Sequence, residues 1–295
     1  MKVVLFLFLS LSAGFIHAMN GEGGLVKPGA ELQKLHGGFT FLEGPVADAQ
    51  GNLFFSDIPG NHILKWSIDG QLTTVLEDTN GGNGLAFDSR GNLIFCEGLG
   101  KNISMLQPDG TRVVLAQSYN GVPLNSPNDV WVDGQDGIYF TDPNYAEEDN
   151  LTQDGQHVYY LPAGQTALKR VTSDLKKPNG IISTPGDEYL YVADTEYDQV
   201  FRYEILAPGE LGPRQAFVDN GSDGVTLDEQ GNLYTAWAGE IKIFSSEGVL
   251  LQVITMPERP SNLAFGGTDH QTLFITGREH LYSLEMNVRG IPKPL

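Results

Sequence analysis

Six short apolar strands of this chain are each led by a side chain that offers an oxygen: Glu43, Asn83, Asn128, Asn179, Asp223 and Asn262. From each of these to the last residue of the next apolar strand the distance is 14, 14, 14, 15, 14 and 15 residues. A constant offset puts the six at equivalent points of six equivalent units. Brought together, they form a ring of oxygens containing two carboxylates. Such a set suits a hard divalent cation, and calcium above all, which accepts six to eight oxygens, amide carbonyls included, in flexible geometry. Magnesium, manganese and zinc are also admitted, although zinc favours His or Cys, and neither occurs in the ring. Taken singly, each Asn or Asp is also a residue that turns favour. Asn83 and Asn262 are read as turn formers on that ground.

The units that carry these residues recur along the chain. A turn and a short apolar strand, usually closed by an acid, end at Asp57, Glu97, Asp142, Asp194, Trp237 and Gly277, in steps of 40, 45, 52, 43 and 40 residues. Between the two strands of a unit lies Asp-x-x-Gly-Asn, at Asp48 to Asn52, Asp88 to Asn92 and Asp228 to Asn232. Gly and Asn there are expected to supply the positive φ of a tight hairpin. A third strand such as Ile63 to Ile68, an Asp69-Gly70 turn and a fourth strand from Leu72 to Leu76 complete the unit. Four antiparallel strands per 40–50 residues is the blade of a β-propeller. Six copies predict an all-β, six-bladed ring. The sixth unit has only three strands, near Ser261 to Phe265, Leu273 to Thr276 and Leu281 to Leu284. The segment Glu31 to Thr40 is expected to add the missing fourth and close the ring, since an open sheet edge invites aggregation. In a propeller the first strand of each blade lines the central channel, so the leading residues converge at one of its mouths.

At those residues the chain resembles the senescence-marker-protein/gluconolactonase family, in its bacterial gluconolactonase branch. The resemblance is carried by Phe41-Leu42-Glu43-Gly44-Pro45, Ser126-Pro127-Asn128-Asp129, Lys177-Pro178-Asn179-Gly180 and Ser222-Asp223-Gly224, in that order and at blade spacing. Thr141-Asp142-Pro143-Asn144-Tyr145 is similar to a further segment of the bacterial branch. The resemblance implies a six-bladed propeller with a catalytic divalent metal, often calcium, in its channel. It implies Glu43, Asn128, Asn179 and Asp223 as metal ligands and Asp223 also as general base, opening a sugar lactone such as glucono-1,5-lactone. The cation would polarise the lactone carbonyl while Asp223 draws a proton from water. Asn128, Tyr145 and Trp237 are the candidate substrate contacts. Two departures stand out. Ser126 replaces an Arg found in some animal members, and Asn144-Tyr145-Ala146 replaces a Pro-Tyr-Gly usual in the bacterial branch.

Composition agrees with an exported enzyme acting on a small molecule. The 295 residues carry 18 Lys and Arg against 37 Asp and Glu, a net charge of −19 that repels nucleic acid and anionic lipid. Met1-Lys2, an apolar run from Val3 to Ile16 and the small residue Ala18 read as a signal peptide over residues 1–18. The run is too short to span a bilayer. Residues 19–295 then form one propeller domain, secreted or periplasmic, with no membrane attachment after cleavage. The single Cys96 excludes an internal disulfide. No Gly-x-Ser-x-Gly elbow and no His-Glu-x-x-His pair is present. Glu97, Asp142 and Asp194 are read as turn caps, and the acidic stretch Glu147-Glu148-Asp149 as a solvated loop. Two other readings fit the same fold: an ester or organophosphate hydrolase on the same metal site, and a non-catalytic binding module.

Overall fold

The computed structural model describes residues 16–18, 24–145 and 150–291. Every regular element in it is a strand, and the strands form six small antiparallel sheets set in a ring. Blade one is Leu42–Ala47, Leu53–Asp57, His62–Trp66 and Leu72–Glu77. Blade two runs Gly82–Phe87, Leu93–Glu97, Asn102–Leu106 and Arg112–Ala116. In blades three, four and five the innermost strands are Val130–Val132, Pro178–Ser183 and Val225–Leu227. Blade six begins with Pro260–Gly266, Thr272–Gly277 and His280–Glu285. Its fourth strand is Gln33–Gly37, paired antiparallel to His280–Glu285, within the segment expected to close the ring. Of the expected signal segment, residues 1–15 lie outside the described residues. Ile16–Ala18 run antiparallel to Leu250–Thr255 on the outer edge of blade five.

The hairpin turn works differently from the sequence expectation. Gly51 has φ +86°, Gly91 +79° and Gly231 +79°, but Asn52, Asn92 and Asn232 are not in the left-handed region. Each Asn instead folds back on the Asp that opens the turn. Asn52 Nδ2 donates to Asp48 Oδ2 at 2.8 Å, Asn92 to Asp88 at 2.7 Å and Asn232 to Asp228 at 2.8 Å. The same Asp accepts the main-chain N–H of that Asn, so one carboxylate closes the whole turn.

Six apolar clusters fill the six blade interfaces, as expected where each blade buries both faces against its neighbours. Cys96 lies fully buried in the cluster between blades two and three. Around the channel the inner strands are also joined directly. Ser56 Oγ donates to Asn83 O (2.7 Å), Gly84 N to Asn128 O (2.8 Å) and Thr141 Oγ1 to Asn179 O (2.8 Å). Gly180 N donates to Asp223 O and Gly224 N to Ser261 O, both 2.8 Å, and Ser261 Oγ returns to Leu42 O at 2.6 Å. Each bond steps from one blade to the next, so the belt closes on itself. It also explains the glycine that follows most leading residues. A Cβ on Gly84 would lie 2.7 Å from Asn128 O, and one on Gly180 2.7 Å from Asp223 O, closer than atoms pack.

Candidate metal centre and active site

In blades one, three and four the segment that enters the inner strand, and so sets the leading residue, is clamped by the acid closing the second strand. Asp57 accepts the N–H groups of Thr40 and Phe41, ahead of Glu43. Asp142 accepts those of Asn125 (2.9 Å) and Ser126 (2.8 Å), ahead of Asn128. Asp194 accepts those of Lys176 (2.7 Å) and Lys177 (3.0 Å), ahead of Asn179. Glu97 instead binds Asn80 Nδ2 at 3.0 Å and Arg112 at 2.7 Å. These acids are thus positioning residues for the channel mouth.

At the mouth, Asn179 Nδ2 donates to Asp223 Oδ1 at 2.7 Å and to Tyr145 Oη at 2.8 Å. Tyr145 Oη is also within 3.0 Å of Thr195 Oγ1, and Lys177 Nζ stands 4.6 Å from the Tyr145 ring centre. Across the ring, Glu43 Oε2 accepts Asn262 Nδ2 at 3.1 Å and the N–H of Gly44 at 2.9 Å. Burial and then the charge of Asp223 push the Glu43 carboxyl well above its ordinary range. Burial also pushes Asp223 up to about 6, against the pull of Arg259, the Asn179 hydrogen bond and Arg278. Two dehydrated carboxylates, one of them raised further by the charge of the other, are what a bound cation would relieve. With both amide hydrogens of Asn179 committed, its carbonyl oxygen is the atom left to face a ligand. Those residues therefore fit a hard oxygen-seeking cation. Among the described residues no three His, Cys, Asp or Glu side chains converge, which a ring of two acids and amides does not require.

Glu43 and Asn179 lie on the inner strands of blades one and four, while Asn128 and Asp223 stand two residues ahead of those of blades three and five. Tyr145 reaches the ring through Asn179. Trp237 lies at the rim, with the Arg259 guanidinium 4.6 Å from its ring centre. Asn262, read as a turn former, does hold its own strand through Leu263 N–H (2.8 Å), but its amide also orients Glu43. Of the acidic stretch at 147–149 nothing is described, as it lies outside the described residues. His157 and His280 are tied to Asp154 and Glu258, away from the ring.

One buried acid escaped the sequence reading. Asp129 stands where other blades have glycine, and its Oδ1 packs over Gly84. Burial pushes it up to about 7, although the N–H groups of Val130 and Ile181 pull the other way. The signal was present as an acid at 129, where four of the other five units have glycine. Behind the ring the channel continues as a cavity of about 570 Å³, lined by Val46, Leu85, Ile181, Val225 and Leu263. Asp129 and Asn262 also line it, but Glu43, Asn179 and Asp223 do not, so it is not the candidate site.

Residues 41–279 match the SMP-30/Gluconolactonase/LRE-like region, spanning all six inner strands. The chain belongs to that family. It is similar to the gluconolactonase of Zymomonas mobilis, 28% identical over 282 residues that cover 84% of this chain and 79% of that protein. It is likewise similar to the lactonase drp35 of Staphylococcus saprophyticus, 27% identical over 256 residues covering 81% and 76%. A solved structure of a Xanthomonas campestris gluconolactonase superposes with a TM-score of 0.85 at 31% identity, covering 93% of this chain and 95% of that one.

Proposed function

We propose that this chain is a metal-dependent lactonase that opens a sugar lactone such as glucono-1,5-lactone to the aldonic acid, with calcium as its cation and Asp223 as general base. Lactone hydrolysis is the activity of its relatives at family level, and their names include gluconolactonase twice over. The observation that carries the finer reading is the Asn179 amide, which holds Asp223 at 2.7 Å and has its carbonyl oxygen left for a ligand. Glu43, Asn128, Asn179 and Asp223 would hold the cation. When bound it supplies Lewis-acid polarisation of the lactone carbonyl.

The chain's own residues do the rest. Asn179 and Tyr145 fix the Asp223 carboxylate in one orientation. Its second oxygen takes a proton from water as the water oxygen attacks the carbonyl carbon. The same proton returns to the ring oxygen when the carbon–oxygen ring bond breaks, so water adds across the ester and nothing else is consumed. Trp237, Tyr145 and Asn128 line the rim where the sugar would lie. The N-terminal apolar run supports action outside the cytoplasm, in the periplasm or as a secreted protein.

The test is glucono-1,5-lactone hydrolysis at constant pH against a no-enzyme blank, after chelation and again with calcium returned. Loss on chelation and recovery with calcium is expected. No rate above the blank in calcium-replete protein removes this substrate.

A further inference from the structure

Two arginines at the mouth have no part in the chemistry above. Pro260 pairs with Gly277 at the end of the first hairpin of blade six, so Arg259 and Arg278 stand side by side just past that ladder. Arg278 O accepts the N–H of Leu42 at 3.0 Å, and its guanidinium lies 5.4 Å from the Phe41 ring centre, beside Glu43. Arg259 leans the other way, onto Trp237, whose preceding residue Ala236 accepts the N–H of Asp223 at 3.0 Å. The two cations therefore straddle blade six between the two carboxylates of the ring. Both are exposed.

Among the described residues neither guanidinium has a carboxylate partner. The acid next to Arg259, Glu258, is committed to His280 Nδ1 at 2.9 Å. In a chain where 37 acids outnumber 18 bases, two arginines lacking an ion pair at the site mouth call for a reason. Stacking on an aromatic face holds a guanidinium in place while leaving its in-plane N–H donors for an oxyanion. The charge of both also reaches the ring, where it pulls the Asp223 carboxyl down against burial.

We propose that Arg259 and Arg278 form an anion subsite, so that the preferred lactone bears a carboxylate or a phosphate away from its ring ester. This rests on the lactonase reading. A neutral lactone offers only hydroxyls, for which Asn or Ser at these positions suffices. Two oxygens of a carboxylate or of a phosphate match the arginine fork, and the local positive charge opposes the repulsion of a chain at −19.

The test measures kcat/KM of the calcium-replete full chain on glucono-1,5-lactone, on 6-phosphoglucono-1,5-lactone and on the 1,5-lactone of glucaric acid. The two charged lactones separate phosphate from carboxylate. A preference of about tenfold or more for one of them is expected, as one charge-assisted contact supplies. In Arg259→Gln and Arg278→Gln the ratio of charged to neutral kcat/KM falls by about tenfold, through KM of the charged lactone, and it also falls with added salt. Equal rates on all three, or a ratio that the Gln variants leave unchanged, overturns the subsite. If none is hydrolysed the lactonase reading falls, and calorimetry decides the subsite separately. Tighter binding of 6-phosphogluconate or glucarate than of gluconate, lost in the double variant, supports it. Equal binding of all three overturns it.

Discussion

Asp194 offers the most direct test of how the site is positioned. Its side chain is fully buried, and its oxygens accept four main-chain N–H groups. Lys176 and Lys177 meet one oxygen at 2.7 and 3.0 Å, while Glu196 and Tyr197 meet the other, both at 3.0 Å. Asp194→Asn keeps the shape but sets an NH2 group against two N–H donors, whichever way the amide lies. Two hydrogen bonds to a charged acceptor are lost, at about 1.5–3 kcal/mol each. Lys176 is exposed and can turn its N–H to water, so the lower total, about 3 kcal/mol, is expected. At about 2–4 °C per kcal/mol for a domain of this size, Tm falls by about 6–12 °C. Thermal unfolding followed by circular dichroism reads that shift. Because the freed residues lead directly into Asn179, lactone turnover falls as well, measured below the lowered Tm. A Tm within about 2 °C of the parent, or full turnover in the variant, refutes the clamp.

Asp223→Asn keeps the fold, because its main-chain bonds to blades four and five do not involve the side chain, and turnover of glucono-1,5-lactone falls by about 10²–10⁴-fold. Retained turnover in a variant with parental Tm excludes Asp223 as the base. Chelation lowers Tm as well as activity, and calcium at about 100 times its Kd restores about 2.7 kcal/mol. A Tm indifferent to chelator is inconsistent with a cation held by the folded ring. In chelated protein Asp129 and Asp223 have folded pKa values raised to about 7 and about 6, so the folded state keeps protons that the unfolded chain releases near 4. Stability is therefore highest at low pH within this window and is lost as pH rises from about 4 to about 7. Chelated protein should melt higher at about pH 5 than at about pH 8, with the difference reduced in Asp129→Asn. An unreduced difference in that variant shows that Asp129 does not cause it.

Local repetition carried the fold. The strand spacing and the leading oxygens are properties of each unit alone, so they stand in the sequence six times over, and the Asp-x-x-Gly-Asn turn stands in it three times. The closing strand was legible too, because a blade of three strands has an obvious vacancy at its edge. What escaped depends on how units meet. Arg259 and Arg278 sit 19 residues apart in short connections, and only the Pro260–Gly277 pairing makes them neighbours. Asn262 looked like a turn residue because its partner, Glu43, lies 219 positions earlier. Asp129 was hidden because the glycine pattern has two exceptions, Asp129 and Leu263, and nothing local sets the acid apart from the leucine. The second-strand acids were legible as caps, but the segments they hold came from the structure.

The belt around the channel has a consequence for how such a site can change over evolutionary time. The main-chain carbonyls of Asn83, Asn128, Asn179 and Asp223 are each engaged by the blade before, and that of Asn262 by Thr276 of its own blade. The frame is thus built from peptide groups and hydroxyls, and it is indifferent to what the leading side chains are. Exchanging Asn for Asp at 83, 128, 179 or 262 alters the charge of the mouth by one step while every one of those frame bonds stays in place. On the proposed metal-site reading, ion affinity and ion choice, which follow the number of charged ligands, would drift by single substitutions without passing through an unfolded intermediate. The ring behaves as a socket with interchangeable pins.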